Sequence, residues 1–104
     1  MQAGHIEIDD QKLRAFCEKW GIAELAVFGS VLRDDFRADS DIDFLVTWKF
    51  ESPRLFDFFA LKEELSELLG RDVDVIQRHV LEQDYNEFRR EGILGSARTV
   101  YAVA

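Results

Sequence analysis

The chain has 104 residues, 47% hydrophobic and 33% charged, with 21 acidic against 13 basic side chains and a formal net charge of −8. That length and balance suit one globular domain over residues 1–104 with a core of its own, and exclude a fibrous or disordered chain. The acidic excess disfavours direct polynucleotide binding, which needs a basic face, but admits a small nucleotide arriving with its own magnesium.

Met1 to Glu7 carry neither the basic segment nor the apolar run of a secretion signal, and no stretch approaches a membrane span. A cytoplasmic protein without membrane contact is expected. Asp9 or Asp10 can cap a first helix in which Leu13, Phe16, Cys17 and Trp20 recur at helical spacing, with Gly21 as its stop. Cys17 is the only cysteine, so no internal disulfide can form; with only His5 and His79 besides, no zinc-ligand spacing exists. Glu24 to Phe28 reads as a buried strand halted by Gly29, Ser30 to Arg33 as a short helical turn, and Asp34 to Ser40 as a polar loop.

Asp41 to Trp48 is the second predicted strand. Alternation puts Ile42, Phe44 and Val46 on one face and Asp41, Asp43 and Leu45 on the other. Ser52-Pro53 precedes a long helix over Leu55–Leu69, whose apolar stripe comprises Phe58, Phe59, Leu61, Leu65, Leu68 and Leu69, with Gly70 ending it. Phe56 falls off that stripe and suits an exposed contact; Lys62 interrupts it. Asp72 to Ile76 is a third strand, Glu82 to Glu91 a last helix, and Thr99 to Val103 a β-prone segment whose pairing is open. The order places a small sheet under helices.

One stretch carries chemistry. Gly29-Ser30 follows an apolar strand, and ten residues later comes Asp41-Ile42-Asp43. A bendable Gly-Ser turn can bring backbone N–H groups and a hydroxyl to a phosphate. Carboxylates at i and i+2 of a strand share a face and can share a divalent cation. Together they suit phosphoryl or nucleotidyl transfer. Asp39, Asp41 and Asp43 also begin like a calcium loop, but Phe44 stands where its glycine is required and Phe50 where its closing glutamate is required. Asp74 interrupts a short apolar strand, where a carboxylate is costly unless paired or metal-bound. If that strand adjoins the second one, Asp74 joins the other two; Asp72 is the reserve. Arg33 lies one turn past the Gly-Ser, where a guanidinium can hold phosphate oxygens.

These residues resemble those of the minimal nucleotidyltransferases within the DNA polymerase β-like superfamily, whose signature is Gly-Ser, ten residues, then Asp-x-Asp. Arg33 and Ser40 fall where members carry an Arg after the Ser and a Ser before the first Asp, while Asp34 replaces a common Gly. Leu69-Gly70-Arg71-Asp72-Val73-Asp74 and the pair Ile93-Leu94 with Val100-Tyr101 extend the likeness over Val27 to Tyr101.

The resemblance implies an α+β fold, a single small palm-like domain with a short mixed sheet covered by helices. It implies ATP as substrate with two Mg²⁺ held by Asp41, Asp43 and Asp74 as the catalytic carboxylates, and Gly29, Ser30, Arg33 and Ser40 on the nucleotide. Stand-alone members commonly pair, as antitoxins, with an all-helical HEPN-type toxin and transfer AMP to its tyrosine. At this length no acceptor-binding domain is expected, so a bound protein or a second subunit of a homo-oligomer would supply that site. A non-catalytic module that masks its partner by contact and a small-molecule nucleotidyltransferase are the alternatives.

Overall fold

A computed structural model describes residues 1–103. The first element is a hairpin of β1 (Gln2–Ala3) and β2 (Ile6–Glu7), which hydrophobic spacing does not announce. Its Gly4 has a φ of +59°, and a Cβ there would collide with the Val31 carbonyl oxygen. The His5 N–H donates to that same carbonyl at 3.0 Å, so the hairpin seats against the turn that follows β3.

Helix α1 (Asp10–Trp20) is capped by Asp9, whose carboxylate accepts the Gln11 and Lys12 N–H groups. Strand β3 (Ile22–Phe28) runs into a 3₁₀ turn over Gly29–Leu32, as the sequence predicts. Strand β4 (Ile42–Trp48), helix α2 (Leu55–Leu69) and strand β5 (Val73–Gln77) follow. Then come a short α3 (Arg78–Leu81), helix α4 (Glu87–Ser96) and strand β6 (Arg98–Ala102).

The sheet order is β5-β4-β3-β6. Strand β3 is antiparallel to both neighbours, whereas β4 and β5 are parallel, joined by α2. The sheet is therefore mixed and small, as the α+β reading expects, and the C-terminal segment pairs with it through β6.

Two faces of the sheet are covered unequally. Ile42, Phe44 and Val46 of β4 join Leu13, Phe16 and Cys17 of α1 and Leu61 and Leu65 of α2 in the main core. Leu45 belongs with Ala26, Phe28 and Leu81 to a smaller cluster on the opposite face, under α3 and α4.

Three expectations need correction. Asp41 lies outside β4, because pairing starts at Ile42, whose N–H donates to the Asp72 carbonyl at 3.1 Å. The last helix begins at Glu87 rather than Glu82. Asn86 caps it by accepting the Arg89 N–H, and Asp84 accepts the Asn86 N–H, fixing a turn where the helix was expected. Phe59 is 59% exposed and stands outside the apolar stripe, while Phe58, Leu61 and Leu65 face inward.

Candidate functional site

Strand alternation alone aims Asp43 away from the main core, on the face it shares with Leu45. Register then gives it neighbours. Asp43 pairs with Phe28, the residue before Gly29, across the antiparallel ladder, and with Asp74 across the parallel one. Two carboxylates thus stand side by side on adjacent strands. Gly29 is at φ +77°, and a Cβ there would lie 2.5 Å from Asp43 Oδ2. The position requires glycine both for its backbone conformation and for the approach of the carboxylate. Burial pushes the Asp43 carboxyl above the usual range; Asp74 and Asp41 add to the shift, and Arg33 opposes it.

The remaining sequence-selected residues occupy distinct places. Asp41 is exposed just ahead of β4. Asp74 sits on the edge strand with 59% of its side chain exposed, and the Lys62 ammonium of α2 approaches its Oδ1 to 3.7 Å. Ser30 lies in the 3₁₀ turn, its carbonyl accepting the Arg33 N–H at 2.9 Å. Arg33 directs its Nε to Asp35 at 3.2 Å. Ser40 accepts the Arg37 N–H on its hydroxyl at 2.9 Å and so closes the polar loop on itself. Arg71 holds that loop to the body: its guanidinium lies 4.4 Å from the centre of the Phe36 ring and donates to the Arg37 and Ala38 carbonyls.

A cavity of about 360 Å³ opens on the Asp43 face. Gly29, Arg33 and Asp43 form one wall, and Phe88, Arg89 and Gly92 of α4 form the other. The sequence does not single out the α4 residues. Their only local sign is a Phe-Arg-Arg run ahead of Gly92, common on solvated helices.

The donor chemistry suits magnesium. All three candidate ligands are carboxylates, hard oxygen donors, and the upward shift of Asp43, set first by burial and then by Asp74 and Asp41, is one that a cation would oppose. Among the described residues no three His, Cys, Asp or Glu side chains converge into a closed cage. Magnesium seldom uses one; it is held by one or two carboxylates, with water and substrate phosphates completing its shell.

A family model described as a nucleotidyltransferase domain matches residues 10–99. The protein adenylyltransferase MntA of Thermococcus cleftensis is 42% identical over 64 residues, 62% of this chain and 64% of the relative. The chain thus spans less than two thirds of that protein's length. A solved structure of a protein classed as a minimal nucleotidyltransferase is 35% identical, covering 88% of this chain and 95% of its own, with a TM-score of 0.61. One chain of a complex between a tri-AMPylated HEPN toxin and an MNT antitoxin from Shewanella oneidensis shares the fold. There the TM-score is 0.61 at 16% identity, over 90% of this chain and 70% of that one. With its Gly-Ser turn and paired aspartates gathered on one sheet face and nearly its whole length inside the family's span, the chain belongs to the nucleotidyltransferase domain family, in its minimal form.

Proposed function

We propose that this chain is a protein adenylyltransferase that moves AMP from ATP to a tyrosine hydroxyl of a HEPN-type toxin and so acts as its antitoxin. The observation that carries the reading is the side-by-side placement of Asp43 and Asp74 opposite Gly29. The names borne by the Thermococcus relative and the Shewanella complex support the choice of reaction and partner.

In this reading Asp41, Asp43 and Asp74 hold Mg²⁺, which when bound neutralises triphosphate charge and stabilises the leaving pyrophosphate. The backbone N–H groups at Gly29 and the Ser30 hydroxyl take the β- and γ-phosphate oxygens, and Arg33 adds a cation beside them. Ser40 serves by closing the loop that leads into Asp41. Asp74, the most open of the paired carboxylates, accepts the proton of the tyrosine hydroxyl. The new bond joins that oxygen to the α-phosphorus while the bond to the bridging oxygen breaks and pyrophosphate departs in line.

The test is incubation with α-labelled ATP, Mg²⁺ and the protein encoded by the adjacent gene. The partner should be labelled, and Asp43→Ala should lower the rate on the order of 10²-fold or more, the size of several kcal/mol of lost charge stabilisation. An unlabelled partner with the unaltered chain overturns the reading. A masking module has one observation in its favour: Leu55 and Phe56, 71% and 84% exposed, open α2 with an uncovered apolar surface. It predicts the opposite pattern, with neutralisation surviving Asp43→Ala and lost in Phe56→Glu.

A further inference from the structure

Helix α4 closes over the Asp43 face, yet the signature residues do not involve it. Its Arg89 lines the same cavity as Gly29, Arg33 and Asp43, so two guanidinium groups share one cavity in a chain whose net charge is −8. Arg89 is also held in place. Its Nη1 donates to Asp84 Oδ2 at 2.7 Å, and that carboxylate is fixed in turn by accepting the Asn86 N–H at 2.8 Å. A guanidinium has five N–H donors in a planar fork, so one bond to Asp84 leaves others for a ligand.

Gly92, one turn further along α4, points the same way. It sits inside a ten-residue helix, where glycine is less favourable than alanine, and a Cβ on it would meet nothing within 4 Å. Packing therefore does not demand glycine there. What its missing side chain does is leave the cavity wall open beside Arg89.

We propose that Arg89 binds the phosphate oxygens of a nucleoside triphosphate from the α4 side, opposite the Gly29–Ser30 turn, with Gly92 keeping the space the ligand occupies. The inference rests on the nucleotidyltransferase reading and extends it to a residue outside the signature. Arginine suits the role because its fork meets phosphate oxygens in pairs, which a lysine point charge does not.

Calorimetric titration of the full chain with ATP in the presence of Mg²⁺ tests this, with folding followed by circular dichroism. Arg89→Ala should weaken ATP binding about 10- to 100-fold, the size expected for losing a charge-assisted pair. Arg89→Lys should recover only part of the loss. Gly92→Ala should keep or raise the melting temperature while weakening ATP binding several-fold, a combination that a purely structural role does not produce. If the unaltered chain binds ATP and Arg89→Ala binds it equally well, this inference falls and the nucleotidyltransferase reading stands. If the folded unaltered chain does not bind Mg²⁺-ATP at all, both fall.

Discussion

Asp43 is the residue at which fold and chemistry conflict. Burial and two neighbouring carboxylates hold it above its ordinary range, so the native state binds its proton more tightly than the unfolded chain does. Stability is then lost as pH rises from the usual carboxylate range through the raised native value. Asp43→Asn should consequently melt higher than the unaltered chain at neutral pH, and the difference should vanish in acid, where Asp43 is already protonated; thermal scans across pH measure it. Gly29→Ala acts on the same contact. It forces a Cβ at φ +77° to within 2.5 Å of Asp43 Oδ2, and chemical denaturation should show a loss of about 1–3 kcal/mol. Both residues were legible in the sequence because a strand-ending Gly-Ser and alternating aspartates are local patterns. Arg89 was not legible: an arginine on a polar helix carries no sign of which cavity it will line.

Among the elements, α2 shows how far periodicity reaches. The full extent of Leu55–Leu69 is legible in the sequence, since a proline-marked start, an apolar stripe and a terminal glycine are all local signals. Leu65 is fully buried, so Leu65→Ala should cost about 2–5 kcal/mol, while exposed Phe59→Ala should stay within about 0.5 kcal/mol of the unaltered chain. Helix α2 also meets α1 through Glu64, which accepts from the Lys19 ammonium and the Trp20 indole at 2.5 Å each. Those two bonds hold Glu64 below the usual range, the Lys19 bond contributing most. Its contribution is present at neutral pH and is lost as pH falls through the lowered native value. The start of α4 departs from the hydrophobic spacing because side-chain hydrogen bonds at Asp84 and Asn86 decide where the chain turns. The pairing of β6 with β3 was open for another reason: its partner lies more than seventy positions earlier in the chain.

On the scale of the whole molecule, the main core joins α1, α2 and one face of the sheet, and Cys17 lies in it without solvent exposure. Desolvation pushes its thiol up to about 12, so the thiolate is scarce at neutral pH. A thiol reagent should label Cys17 only as fast as the molecule opens globally, which kinetics in increasing denaturant would check. A fast reaction in native buffer would contradict the packing. The sequence by itself determined the family. Gly29, Ser30, Asp41 and Asp43 lie within fifteen positions, where turn geometry and strand alternation act over a few residues. Only the tertiary structure decided that Asp74 stands beside Asp43 and that α4 faces the Gly-Ser turn across a cavity. Those placements depend on strand register and on the packing of α2 and α4 against opposite faces of one sheet. Such contacts join residues far apart in the chain, and no local pattern encodes them.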